Sequence, residues 1–291
     1  MLKRCAIIGN GYYHGESMVN QIKSIAAELT ALSVEVDVIY TDRILSYFDG
    51  DGVISTIGEY DFIIFLDKDV YLSHMLEKSG YKLVNSAKSI ELCDDKLKTF
   101  VALSGAGINL PMTISSPLNY AGKDDDIASH IGSLLGFPVV VKEVFGSMGK
   151  TVYLAEDISA LRELRKALIK RPHLYQRFIG KGGRDIRVMV IGGKALAAME
   201  RRNENDFRSN IELGGVGVGI ELTESVREIA EGAARTLGLD YCGVDVLSDG
   251  RSFYVCEVNS NAFFKGFYAA TGVNVAKEYA IYLYNKFYGD K

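Results

Sequence analysis

Two carboxylates and an amide interrupt the otherwise apolar hairpin in "YCGVDVLSDGRSFYVCEVN": Asp245 on its first strand, Glu257 and Asn259 on its second. Strand side chains alternate in direction, so Glu257 and Asn259, two positions apart, share a face. A loop of three or five residues puts Asp245 on that face too, whereas a two-residue turn puts it on the other. Hard cations take oxygen ligands, and Mg2+ is commonly held by one or two carboxylates together with substrate phosphates and water. Two carboxylates and an amide carbonyl fit that chemistry, and like charges so close are unfavourable without a cation. The competing reading is a solvated sheet face with a paired acid.

Cationic and glycine-rich segments precede this hairpin. "VKEVFGSMGKT" ends in Gly149-Lys150-Thr151, but a Walker A loop needs glycine where Val144 stands, and the chain continues as a strand rather than a helix. A glycine hairpin can still lay backbone N–H groups over phosphates, with Lys142 on the preceding strand as a point charge. An ordinary glycine turn is the simpler alternative. In "GRDIRVMV", Asp185 and Arg187 alternate with apolar residues and point away from Ile186 and Val188. Arg201, Arg202 and Arg208 gather in "ERRNENDFRSNIELGG", where guanidinium forks suit carboxylates and phosphates, an acyl phosphate included. A solvated charged loop is the alternative there.

The elements that must position these groups fall into three stretches. Over residues 1–88, "RCAIIGN", "VEVDVIY", "DFIIFLD" and "YKLVN" read as strands, with helices predicted from Ser17 to Leu32 and near Val70 to Ser79. Strands alternating with helices argue for a small parallel α/β domain. The segment between Tyr40 and Asp61 reads as helical or irregular. The loop "GNGYYHGES" misses the dinucleotide fingerprint, because His14 stands where a third glycine belongs; it is a strand-to-helix turn or a substrate-facing loop. Residues 89–175 read as a second α/β unit. It has one amphipathic helix through "SIELCDDKLKTFVAL", a strand after Pro111, a capped helix in "DDDIASHIGSLLGF", two strands around the glycine loop, a helix at 158–170 and the strand "LYQRFI". Residues 176–291 read as an antiparallel sheet with packed helices: a hairpin at Gly192-Gly193, a helix in "TESVREIAEGAARTLGL", the Asp245–Glu257 hairpin, and a closing helix from Asn274 to Phe287.

The net charge of −4 gives no long-range pull toward nucleic acid or an anionic membrane, so small molecules or another protein are the expected partners. No apolar run reaches the roughly 18 residues of a membrane helix and no signal-peptide pattern is present, which predicts a cytoplasmic protein. The four cysteines, Cys5, Cys93, Cys242 and Cys256, are scattered among apolar neighbours and read as reduced structural thiols.

In order and together, "CDDKLKTF", "VVVKEVFGSMGKTVYL", "GRDIRVMVIGG", "ERRNENDFRSNIELGG", "CGVDVL" and "EVN" resemble the ATP-grasp superfamily. They are most similar to the RimK-like ligases, which include glutamate-adding and lysine-biosynthesis enzymes. The resemblance covers about residues 85 to 275 and implies an ATP-grasp fold with ATP between the central and C-terminal subdomains. It implies that Lys96 and Lys142 contact ATP phosphates and that Gly146, Ser147, Met148 and Gly149 close over them. Arg177 and Phe178 would hold adenine, Asp185 would lie near the ribose, and Arg208, Ser209 and Asn210 would approach the phosphates. Asp245, Glu257 and Asn259 would hold two Mg2+ ions, with Mn2+ as a substitute, while Arg187 and Arg208 would stabilise the transferring phosphoryl group. The implied reaction joins a carboxylate to an amine through an acyl phosphate, releasing ADP and phosphate. Its substrate would be an amino acid, a peptide or a protein C-terminus, and dimers or tetramers are expected. Glutamate-adding members follow Glu-x-Asn with a small residue, proline and glycine, whereas this chain runs "SNAFFKGF". Asn261 and Lys265 are therefore candidates for touching the substrate, and Phe263, Phe264 and Phe267 for a pocket wall. A kinase that leaves phosphate on a small molecule, and a nucleotide-binding regulator without turnover, are the other readings.

Overall fold

The computed structural model describes residues 3–122 and 127–289. The first unit contains β1 (Arg4–Gly9), α1 (Glu16–Ala31), β2 (Glu35–Tyr40), β3 (Ser46–Phe48), β4 (Val53–Ser55), β5 (Phe62–Leu66), α2 (Val70–Lys78) and β6 (Leu83–Val84). Its parallel sheet runs β2-β1-β5-β6. Every residue of β5 is buried, as a strand covered on both faces must be. One face packs on α2 through Ala6, Ile8, Ile63, Phe65 and Leu76. The other packs on α1 and on the chain's last helix, Val275–Tyr288, through Ile7, Ile64, Tyr279 and Leu283. The segment expected to be helical or irregular instead holds the small antiparallel hairpin β3–β4.

The predicted single helix after residue 87 is two, α3 (Ala87–Asp94) and α4 (Lys96–Leu103). Asp95 breaks it by adopting an extended backbone and accepting the Lys98 N–H at 2.9 Å, which makes it the N-cap of α4. There follow β7 (Thr113–Ser115), α5 (Ala128–Leu135), β8 (Val139–Glu143), β9 (Val152–Ala155), α6 (Ile158–Leu168) and β10 (His173–Arg177). These strands form an antiparallel sheet, β7-β10-β8-β9, with a core of its own built from α5, α6 and residues such as Val139, Val141 and Tyr175. The acidic cap expected at residues 124–126 lies outside the described residues.

The last unit holds β11 (Arg184–Ile191), β12 (Lys194–Arg202), β13 (Val216–Ile220), α7 (Glu224–Thr236), β14 (Tyr241–Ser248), β15 (Phe253–Asn259), α8 (Lys265–Thr271) and α9 (Val275–Tyr288). Its antiparallel sheet runs β13-β12-β11-β14-β15. Period-2 alternation splits the strands between two cores. Val188, Val190, Ala198, Val244 and Val246 face α7, with Cys93 of α3 and Leu103 of α4 joining them. Met189, Met199 and Tyr241 face the opposite side and join the core shared with α1 and α9. That side continues along the sheet into Asp185, Arg187, Arg201, Asp245 and Glu257, so one face is apolar at one end and charged at the other. Among the described residues no helix is long and apolar enough to cross a membrane.

Candidate active site

The hairpin carrying the two carboxylates closes with Ser248 opposite Phe253, which leaves a four-residue loop rather than three or five. An even loop alone would send Asp245 and Glu257 to opposite faces. A bulge between Asp245 and Val246 makes up the difference, since the extra residue, Cys256, restores Asp245 directly opposite Glu257 and Gly243 opposite Asn259. All three oxygen-bearing side chains thus share the face expected for them.

Two arginines from the neighbouring strands reach Asp245. Arg187, its register partner on β11, donates Nη2 to Oδ2 at 2.8 Å and Nε to Oδ1. Arg201 on β12 approaches Oδ2 at 2.9 Å and also grips Asp185 through Nε at 2.7 Å and Nη2 at 2.5 Å. Asp245 is 3% exposed and Arg201 5%, so neither charge could be held there alone. Burial pushes the Asp245 pKa up, but Arg187 and Arg201 outweigh it and leave the carboxyl below its ordinary value. Burial likewise opposes the charge on Arg201, yet Asp245 and Asp185 raise its pKa overall. Asp245 and Asp185 both accept guanidinium hydrogen bonds, because a desolvated carboxylate is most stabilised by the nearest fixed cation. Among the described residues no three His, Cys, Asp or Glu side chains form a metal cluster. Glu257 and Asn259 remain partly exposed, and both line a cleft. Their carboxylate and amide oxygens suit a hard cation, with Asp245 adjacent.

Two buried lysines stand opposite. Lys96, at the start of α4, is 6% exposed; its ammonium donates to the Gly146 carbonyl at 3.0 Å and lies 4.0 Å from Glu257. Burial lowers its pKa, Glu257 acts against that, and Lys68 and Lys142 lower it further. Lys142 on β8 is 7% exposed, with Nζ 3.3 Å from the Cys256 sulfur. Two ammonium groups converging with little carboxylate company make a strong anion site. Above them the glycine loop turns through positive φ at Gly146, Met148 and Gly149. A Cβ on Gly149 would meet the Asn210 side-chain oxygen at 2.7 Å, so the loop rests directly on the segment following β12. Arg208 ties the two together by donating to the Gly149 carbonyl at 2.8 Å while pairing with Asp206 at 2.6 Å. Arg208 also lines the narrow cavity under the glycine loop, so the same side chain that links the two loops is placed beside that space.

Two adjoining cavities converge on this face. The smaller, about 100 Å3, runs beneath the glycine loop past Lys142, Arg177, Phe178, Asp185, Arg208 and Ser209. The larger, about 670 Å3, opens past Ser147, Met148, Arg187, Asn259, Asn261 and Lys265 toward the first unit. Arg201, Asn210 and Glu257 line both. Asn10 and Tyr13 from the "GNGYYHGES" loop and Asp67 and Lys68 after β5 complete the larger one. None of these four was singled out from the sequence; the glycine fingerprint drew attention to the right loop but not to its polar residue. Lys265 pairs with Glu16 at 2.5 Å and Asn261 donates to the Leu66 carbonyl at 2.9 Å. Phe264 and Phe267 are core residues, while Phe263 and Phe267 also present an edge to the cleft.

A cavity roofed by a glycine hairpin between two antiparallel sheets, with Lys142 lining it and Lys96 bound to the loop's Gly146 carbonyl, is the arrangement of the ATP-grasp fold. A profile of the RimK-like ATP-grasp domain matches residues 93–283, and the chain belongs to that family. Human N-acetylaspartylglutamate synthase A is 40% identical over 216 residues, covering 72% of this chain and 54% of that protein. A Teredinibacter turnerae protein named "Probable alpha-L-glutamate ligase" is 37% identical over 262 residues, covering 89% and 83%. The ATP-grasp ligase PsnB, solved with minimal precursor, Mg and ADP, superposes with a TM-score of 0.72 at 20% identity, covering 97% of each chain. The chain spans about half the length of the synthase relatives it matches.

Proposed function

We propose that this protein is an ATP-dependent carboxylate–amine ligase that forms an amide or peptide bond on an amino acid or peptide. The observation that carries the reading is the junction of the two cavities. A narrow space under the glycine loop, lined by Lys142, meets a wide cleft at Arg201, Asn210 and Glu257, and the buried Lys96 ammonium holds the loop at the Gly146 carbonyl. ATP would occupy the first, which must widen beyond its present volume of about 100 Å3 to take it, with adenine toward Arg177 and Phe178 and phosphates toward Lys142; a carboxylate substrate would occupy the second. The names of the relatives, glutamate ligases and amino-acid conjugate synthases, agree with amide formation.

The chemistry requires a substrate carboxylate oxygen to bond the γ-phosphorus as the bond to the β-phosphate oxygen breaks and ADP leaves. The amine lone pair then attacks the acyl carbon, phosphate departs with its electron pair, and the amine loses a proton. Glu257, Asn259 and Asp245 are the residues that would hold Mg2+, which supplies charge neutralisation on the phosphates when bound. Arg187 sits on the same face and lines the wide cleft, its guanidinium fixed by Asp245, so it would be available to charge developing on the transferring group. Burial of this junction limits water that would hydrolyse an acyl phosphate.

An ADP-release screen of paired amino acids and short peptides, with mass detection of the amide, tests the reading. Phosphate retained on a substrate would replace it with a kinase. Arg187→Ala should lower kcat more than it raises KM for ATP; an effect on KM alone would remove Arg187 from the transfer step.

A further inference from the structure

Along the wide cleft two buried side-chain oxygens lack a hydrogen-bond partner, although the Asn10 side chain is close enough to Asp67 to favour its charged form. Asp67, at the end of β5, is 8% exposed. Its Oδ1 accepts backbone N–H groups of Lys68 at 2.6 Å and Asp69 at 3.2 Å, while its Oδ2 is buried with no hydrogen-bond partner. Asn261, which reaches the same place by donating to the Leu66 carbonyl, also has a buried side-chain oxygen without a partner. Both residues line the cleft. The neighbouring cations are engaged elsewhere: Lys68 pairs with Asp94 at 3.3 Å and Lys265 with Glu16. Among the described residues these lysines are ion-paired to other carboxylates rather than to Asp67.

A buried carboxylate oxygen left unsatisfied is costly, and burial already raises the Asp67 pKa. Two such oxygens, from residues 194 positions apart and lining one substrate-sized cleft, call for a stronger donor than the neutral Asn10 amide beside Asp67. A primary ammonium carries three donors and a positive charge, matching one carboxylate oxygen and one amide oxygen.

We infer that Asp67 and Asn261 form the subsite that binds the free primary ammonium group of an amino-acid or peptide substrate, and that Asp67 selects substrates carrying that group. This rests on the wide cleft being the substrate side of the proposed ligase. It deepens that reading by giving the cleft polarity: the reacting end lies at Glu257 and Arg187, the cationic end at Asp67. The ammonium could be an α-amino group or a lysine side chain, and the probes below separate the two.

The test is binding by the full chain in the presence of Mg2+ and a non-hydrolysable ATP analogue, read as thermal shift. The probes are L-glutamate, L-lysine, N-acetyl-L-glutamate, Nα-acetyl-L-lysine and Nε-acetyl-L-lysine. The expected result is preference for at least one free-ammonium probe over its acetylated form, reduced tenfold or more in affinity in Asp67→Asn. Loss of the preference on Nα-acetylation assigns the α-ammonium, and on Nε-acetylation the side chain. Asn261→Ser should weaken the same preference by a smaller factor. Retained nucleotide binding shows that both variants are folded. Equal binding of free and acetylated probes, no binding of any probe, or a preference that survives Asp67→Asn overturns the inference. Because the readout is binding, absence of any amide product would defeat the ligase reading while leaving the Asp67 result to stand or fall separately.

Discussion

The two cavities that meet at Glu257 are built on opposite principles. Beneath the glycine loop the polar groups are saturated: Asp245 and Asp185 share Arg187 and Arg201, and Arg208 joins Asp206 to the Gly149 carbonyl. Along the wide cleft Asp67 and Asn261 hold buried oxygens without a hydrogen-bond partner. A phosphate chain brings its own charge to fixed lysines and therefore suits a site whose other groups are held rigidly in place. Recognition of a particular substrate is better served by groups that gain partners only when it binds, because analogues lacking the donor then leave them unpaired.

Removing a saturated member should have the largest effect. Arg201→Met leaves Asp185 without its bidentate partner and Asp245 with one arginine fewer; the cost should be about 3–5 kcal/mol of stability, measured by urea unfolding. A loss under about 1 kcal/mol would mean that the network is not buried as described. Next comes Glu257→Gln, which keeps the size but halves the oxygen-ligand character. Turnover should fall by about 10²- to 10³-fold in steady-state ADP release with little change in unfolding midpoint, the scale of losing one preorganised electrostatic group. Undiminished turnover would remove Glu257 from the metal site.

Gly149→Ala forces a side chain into a φ of +71° and against Asn210, so the loop must shift. A cost of about 1–2 kcal/mol is expected for the left-handed backbone, together with a raised KM for ATP. The smallest effect belongs to the unsatisfied end and has the opposite sign. Burial raises the folded-state pKa of Asp67 above its unfolded value, so the ligand-free fold loses stability as pH rises from about 4 through that raised pKa. Asp67→Asn lacks this penalty. Its Tm should match the parent near pH 4 and exceed it at pH 7. A lower Tm than the parent at pH 7 would show Asp67 to be stabilising, and the contrast between the two cavities would fail.

The saturated side was largely readable in the sequence and the unsatisfied side was not. Period 2 pairs Asp185 with Arg187 and Glu257 with Asn259 on one face each, but the face of Asp245 depended on the loop, and the four-residue loop with its bulge at Cys256 and the β11–β14 register bring all five together. The parallel sheet, the glycine hairpin and α7 were readable for the same reason. Asp67 looked like any polar residue closing a buried strand, and its partner Asn261 arrives from the other end of the chain. β13 was hidden by its glycines. Gly217 and Gly219 of "VGVGI" are there because Met199 and the Ala270 carbonyl would lie 2.5 Å and 2.6 Å from a Cβ. The break between α3 and α4 was missed because the helical apolar pattern runs through it, and only Asp95 acting as a cap divides it.

The central claim is that the two cavities pass a phosphoryl group from ATP to a carboxylate. The most direct measurement uses the acid–amine pair that releases most ADP, with 18O in the substrate carboxylate, and mass analysis of the released phosphate and the amide. The account predicts one 18O atom in each phosphate and one fewer in the amide carbonyl than in the starting acid. Unlabelled phosphate alongside fully labelled substrate would contradict it.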